Sequence, residues 1–180
     1  HQNRAYAAMV HNLDQSIGLL LEAYDAMDLA ENTYLIFTSD NGGMPTLPIQ
    51  VNKGEPYSAG LNSPLLRGKW DLTEGGIRVP FAVMGPGVEA GSQSNEPVIS
   101  YDLLPTVADI AGATDALPDE LDGRSIRHVL KNPKSKIQRP PEGLVFHFPH
   151  YNVCGLNEPH SPIRIGDYKL LKFTSSTREL

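Results

Sequence analysis

Along residues 4–28, Met9, Leu13, Ile17, Leu20, Tyr24 and Met27 recur at three- and four-residue steps, with Asp14, Gln15, Glu22 and Asp25 on other faces. This period predicts an amphipathic helix whose apolar stripe faces a core. Gly18 weakens such a helix and is expected where it packs closely on a sheet. After a short connection, 29–32, the run TYLIF (33–37) is continuously apolar, the mark of a strand buried on both faces. A second apolar strand is expected in 80–88, closed by Gly85-Pro86-Gly87. Residues 100–113 predict a second helix, with Ser100 as N-cap, a buried stripe of Leu103, Leu104, Val107, Ile110 and Ala111, and Gly112 as its stop. Residues 121–130 predict a short helix or turn. The segment 143–151 reads as a strand that ends in His147 and His150, and 161–173 as a hairpin turning at Gly166 and Asp167.

Helix, short loop and buried strand is the α/β pattern of a mostly parallel sheet flanked by helices. The late hairpin adds the start of a small antiparallel β subdomain. The expected division is a main domain over 1–131, a polar proline-rich linker over 132–143 and a partial C-terminal subdomain over 144–180. His1 is not an initiator methionine and Leu180 interrupts a strand-like run, so the chain is expected to be a piece of a longer protein.

Composition narrows the function classes. A net charge of −6 argues against a nucleic-acid binder, which needs a basic face. No apolar run approaches the roughly 20 residues of a membrane helix. The single cysteine, Cys154, excludes an internal disulfide and a multi-cysteine zinc site.

Candidate chemistry begins at SDNGG, 39–43, directly after the first strand. The carboxyl end of a central strand is where α/β proteins hold ligands. Asp40 and Asn41 there offer two hard oxygens to one cation of the Ca²⁺ or Mg²⁺ type. Gly42 and Gly43 are expected to let the backbone turn away. Read alone, the same residues also describe a tight turn. The irregular stretch 44–66 follows and is expected to wall a cleft. In LLRGKWDLTEGGIRVP (65–80), Lys69 offers a point charge suited to an anionic oxygen, whereas Arg67 reads as a solvated surface cation. Glu74 and Arg78 are expected to pair and stiffen the glycine turn. His11 reads as a surface residue, His147 as a packed core histidine, and His150 as either a pocket or a surface residue.

These stretches, taken in order, carry a resemblance. YAAMVHNLDQSIG, TYLIFTSDNGG, LLRGKWDLTEGGIRVPFAVMGPG, SYDLLPTVADIAG and LDGRSI resemble the type I, formylglycine-dependent sulfatases of the alkaline-phosphatase-like superfamily. HFPHY followed by SPIRIGDYKLLKF resembles the start of their C-terminal subdomain. The likeness runs through nearly the whole chain, which is similar to the second half of such an enzyme. It implies that Asp40 and Asn41 complete a Ca²⁺ site, with Mg²⁺ as the alternative, and that Lys69 contacts the sulfate. Relatives often have a second glycine before this lysine, and this chain has one. His150 lies where some carbohydrate sulfatases have a substrate-pocket histidine.

The resemblance further implies sulfate-ester hydrolysis, in which a hydrated formylglycine attacks sulfur through a covalent intermediate. The nucleophile's C/S-x-P-S-R segment is not in this chain, and Cys154, followed by Gly-Leu-Asn, does not fit it. The missing N-terminal half would supply the nucleophile, the early aspartates of the metal site and the flanking lysine and histidines. The implied substrates are sulfated glycans, with aryl sulfates and choline sulfate still open, and the implied location is periplasmic, extracellular or lysosomal. The alternatives are a phosphatase, phosphodiesterase or phosphonate hydrolase of the same superfamily, or a non-catalytic glycan-binding homologue. Two-metal relatives add histidines beside the strand-end aspartate, so Asn41 favours the one-cation pattern.

Overall fold

The computed structural model describes residues 3–45, 62–152 and 158–174. His1, Cys154, Leu180 and most of the expected cleft wall lie outside them. The chain is α/β. Helix α1 spans Arg4–Ala26, and the Asn3 side chain caps it by accepting the Tyr6 N–H at 2.9 Å. Strands β1, Leu35–Thr38, and β2, Phe81–Met84, are neighbours in a two-stranded sheet. The short helix α2, Glu74–Ile77, precedes β2. A 3-10 turn, Ser100–Asp102, leads into α3, Leu103–Ala111, and α4 covers Arg127–Lys131. Strands β3, Leu144–Val145, β4, His160–Ile165, and β5, Tyr168–Phe173, form an antiparallel sheet in the order β3-β4-β5. No helix among the described residues is long and apolar enough to cross a membrane.

Periodicity located the elements but not their burial. The α1 stripe is uncovered among the described residues: Met9, Leu13, Leu20 and Met27 are exposed, and Tyr24 alone is buried. Nothing lies within 4 Å of a Cβ built on Gly18, so that glycine marks open space and not a sheet contact. Strand β1 likewise exposes Ile36 and Phe37. These surfaces have the composition of a core without the partners that would close it. The strand expected over 143–151 shortens to β3 plus an isolated bridge between Phe148 and His160. The hairpin turns at Gly166 and Asp167 as its sequence requires.

Two compact units result, one of His1–Asp28, Phe37–Ala82 and Glu142–Leu180, the other of Leu29–Ile36 and Val83–Pro141. The second is organised by a carboxylate. Asp102 is 1% exposed. Its Oδ2 accepts the Ile99 N–H at 3.0 Å and its Oδ1 the Arg124 N–H at 2.9 Å. The Arg139 guanidinium closes both oxygens, at 2.9 and 2.6 Å, and donates to the Pro97 carbonyl at 2.8 Å. All four acceptor positions of the carboxylate are filled, two of them by a bidentate guanidinium. Asp102, and not Ser100, therefore ties down the start of this helical segment.

Thr106 relays the same tie. Its hydroxyl donates to the Asp102 carbonyl at 2.6 Å and accepts the Ile126 N–H at 3.0 Å. The buried face of α3 is accordingly Pro105, Thr106 and Ala108, while Leu104 and Val107 of the expected stripe are exposed. Gly112 ends α3 in the left-handed conformation at φ 68°, as expected.

Arg139→Met strands the Asp102 charge in a site closed to water, and removing one partner of such a pair costs about 3–5 kcal/mol. Urea denaturation followed by far-ultraviolet circular dichroism should show a loss of that size, against less than about 0.5 kcal/mol for an exposed change such as Gln138→Ala.

Candidate functional site

The site grows from a place where two stretches of backbone touch. Gly42 donates its N–H to the Gly76 carbonyl at 2.8 Å, and Lys69 donates its N–H to the Gly43 carbonyl at 3.0 Å. A Cβ on Gly42 would lie 1.7 Å from the Gly75 oxygen, and one on Gly76 would lie 1.8 Å from the Asp71 oxygen. A Cβ on Gly68 would meet the Gly43 oxygen at 2.3 Å, and one on Gly75 would meet the Arg67 oxygen at 2.2 Å. No side chain fits at any of these positions. Neither Gly42 nor Gly43 has a positive φ. The expectation that they serve a sharp turn is thus replaced by close approach of two backbones. The junction brings the strand-end residues Asp40 and Asn41 and the loop that carries Lys69 into one local structure.

The loop 66–77 is tightly specified. Asp71 is 5% exposed; its Oδ1 accepts the Thr73 N–H at 2.6 Å and its Oδ2 the Arg67 guanidinium at 2.6 Å. Burial pushes the Asp71 carboxyl up, but the bonds from Thr73 and Arg67 outweigh it and hold the group below its ordinary 3.8. The Thr73 hydroxyl donates to the Leu66 carbonyl at 2.7 Å, and Asn62 bridges the Gly43 and Arg67 carbonyls at 2.9 and 2.8 Å. Arg67 and Trp70, on either side of Lys69, take the left-handed backbone at φ 58° and 75°. Such strain outside glycine persists only where the surroundings fix it, and it clusters at functional sites.

Of the candidate side chains, Asp40 is exposed and Asn41 and Lys69 are half-buried. Asp40 is exposed, and among the described residues its carboxylate has no hydrogen bond or ion pair. Asn41 donates its amide to the Gly42 carbonyl at 3.2 Å, which leaves its Oδ1 as a second oxygen. The Lys69 ammonium lies 5.9 Å from the centre of the Trp70 ring and, among the described residues, pairs with no carboxylate. Two hard oxygens are a partial ligand set for Ca²⁺ or Mg²⁺, which take six or more. No group of three or more His, Cys, Asp or Glu among the described residues could hold a metal ion by itself.

Other expectations change. Glu74 meets Arg78 only at 3.9 Å in the open, and its close partner is Lys169 of β5 at 3.0 Å. His147 is exposed and shares a 2.7 Å hydrogen bond with the Ser161 hydroxyl, so it is not a core residue. His150 is exposed, its ring edge-on to Phe148 at 5.6 Å, and no contact joins it to Asp40, Asn41 or Lys69. Among the described residues the buried histidine is His160, at 1% exposure, which the pattern of the hairpin did not single out. In the second unit, an open cavity of about 870 Å³ is lined by Asp109, Asp115, Asp119, Glu120 and Asp122 together with Arg124.

Comparisons with known proteins bear on this arrangement. A family profile described as Sulfatase matches residues 1–113, and one described as N-sulphoglucosamine sulphohydrolase, C-terminal, matches residues 68–180. A sulfatase of Formosa agariphila is 38% identical over 167 residues, which cover 84% of this chain and 27% of that protein. Steryl-sulfatase of Homo sapiens is 37% identical over 150 residues, covering 82% of this chain and 24% of that protein. A solved structure, BT4656 in complex with its substrate D-glucosamine-2-N,6-O-disulfate, matches with a TM-score of 0.70 and 26% identity over 94% of this chain and 31% of that one. The chain thus spans 24–31% of the length of these relatives.

The state of Asp71 gives the loop a definite acid response. A carboxyl held below 3.8 in the fold stabilises it fully above that pH, and the contribution is lost as pH falls through the lowered value. Limited proteolysis of the loop should be flat with pH above about 5 and rise only below about 4. Asp71→Asn should raise cleavage at neutral pH and flatten its rise in acid.

Proposed function

The chain belongs to the sulfatase family and has its alkaline-phosphatase-like α/β fold, and from that premise we propose that it forms the second half of a catalytic region that hydrolyses sulfate esters of carbohydrates. The observation that carries this reading is the glycine junction, which joins the loop of Lys69 to the backbone just after Asp40 and Asn41. The carbohydrate class is supported by the solved neighbour bound to a disulfated glucosamine and by the second family match over 68–180. The formylglycine nucleophile and the remaining metal ligands come, on this reading, from the portion of the protein outside this chain, and the chain alone is inactive.

Asp40 and Asn41 would hold the divalent cation, Ca²⁺ with Mg²⁺ as the alternative, through one carboxylate and one amide oxygen. Bound there, the cation supplies Lewis-acid stabilisation of charge on the sulfuryl oxygens. Lys69 donates its ammonium hydrogens to a sulfate oxygen or to the bridging oxygen as negative charge grows on it. The ammonium makes no ion pair with another described residue that such a contact would first have to break. A preorganised donor of this kind is worth about 2.7–4 kcal/mol in the transition state. His150 is assigned to the substrate pocket as a contact for the sugar.

In the full-length protein, Lys69→Ala should lower kcat on a panel of sulfated sugars at least about a hundredfold with the melting temperature unchanged. Near-normal turnover would remove Lys69 from the mechanism, and hydrolysis of phosphate but not sulfate esters by the unaltered protein would overturn the reading. Asp40→Ala should sharply weaken Ca²⁺ binding in titration calorimetry; unchanged affinity would reject its role as a ligand.

A further inference from the structure

His160 opens β4 and is 1% exposed, between the rings of Phe148 at 5.8 Å and Phe173 at 5.6 Å. Packing alone would account for an apolar residue there, but both ring nitrogens are committed. The Leu72 N–H donates to Nε2 at 3.1 Å, so Nε2 carries no proton. Nδ1 must then carry it, and it donates to the Glu158 carbonyl at 2.6 Å. These two bonds fix the orientation of the imidazole, with its acceptor turned to a peptide of the Lys69 loop.

That peptide is satisfied from outside the loop, unlike several of its neighbours. Asp71 N–H goes to Gly68, Thr73 N–H to the Asp71 carboxylate, Gly75 N–H to Leu66, and Gly76 and Ile77 N–H to Thr73. Leu72 N–H goes to His160. A second tie comes from the same face of the hairpin. The register pairs His160 with Phe173 and Arg164 with Lys169, so His160 and Lys169 point to one side of the sheet. Lys169, with a side chain 14% exposed, reaches Glu74 at 3.0 Å. The loop is therefore held from one direction by the glycines after β1 and from another by β4 and β5.

We propose that His160 is a positioning residue for Lys69, and that with the Lys169–Glu74 pair it lets the C-terminal sheet set where the sulfate-binding ammonium stands. The proposal rests on the role given to Lys69 above. It assigns to the antiparallel sheet a part in catalysis that requires no contact with substrate. A misplacement of about 1 Å in such a group costs on the order of a hundredfold in rate.

The test is a double-mutant cycle in the full-length protein, assayed on an aryl sulfate and on a sulfated sugar. His160→Leu should lower kcat about ten- to a hundredfold, with a smaller change in KM. His160→Gln keeps an acceptor for Leu72 and a donor for Glu158, and should stay within about threefold of the parent. In a Lys69→Ala background, His160→Leu should cost less than about threefold, because the group it positions is gone. Hydrogen exchange of the Leu72 amide should accelerate in His160→Leu and not in His160→Gln. If His160→Leu does not fold, Lys169→Met enters the same cycle with the same expectation. Effects that multiply fully in the Lys69→Ala background overturn the proposal and leave the function standing. A Lys69→Ala protein with normal turnover overturns both.

Discussion

The site depends on two backbones meeting with no side chain between them. Gly42 and Gly43 on one side and Gly68, Gly75 and Gly76 on the other leave room for hydrogen bonds from Gly42 to Gly76 and from Lys69 to Gly43. Any Cβ at these positions would lie within 2.6 Å of a neighbouring atom, closer than real Cβ contacts come. The geometry has a cost, visible in the left-handed backbones of Arg67 and Trp70, of order 1–3 kcal/mol each. It is offset by ties that leave the loop few alternatives: the buried Asp71 carboxylate, the Asn62 amide, the Thr73 hydroxyl and the His160 ring. A strained loop locked in this way can hold a side chain at a fixed place without fully burying it, which is what the role proposed for Lys69 requires.

Both units solve the same problem with an aspartate. A loop inside a fold carries N–H groups that no ladder satisfies, and a buried carboxylate can accept several of them if an arginine balances its charge. Asp71 takes the Thr73 N–H with Arg67 as its counter-ion, and Asp102 takes Ile99 and Arg124 with Arg139. The two differ in the arginine. The Arg67 side chain is 50% exposed and that of Arg139 is 14% exposed. Water screens the first pair far more than the second, so the Asp102 pair is the firmer anchor of its unit.

What could be read from the sequence divides along the same line. Local pattern located α1, α3 and the β4–β5 hairpin, and Gly112 as a helix stop, because those features depend on neighbours a few residues away. Burial was misjudged for Leu13, Leu20, Phe37, Leu104 and Val107, since apolar residues are inside only if something covers them. The relatives are three to four times as long as the chain. The roles proposed for Asp40, Asn41 and Lys69 came only through the family order of motifs, because the contacts that join their stretches are between backbone atoms and leave no mark beyond the glycines. His160 was missed for a related reason: its partner, Leu72, is 88 residues away. Arg67, read as a surface cation, turned out to be the counter-ion of a buried acid.

The pattern of charge pairing bears on the role proposed for the corner. Within 66–78, Arg67 is paired with Asp71, and Arg78 stands 3.9 Å from Glu74, which Lys169 already holds. Lys69 forms no ion pair with a described residue, and neither does Asp40, although both flank the same glycine junction. Two flexible opposite charges in one local structure ordinarily drift together, since even an exposed pair gains a few tenths of a kcal/mol. Here no such pair forms among the described residues. A lone carboxylate with an amide oxygen beside it favours a cation, and a lone ammonium over an aromatic face favours an anion. On the proposed reading, a divalent metal and the oxyanion it grips would complete this arrangement.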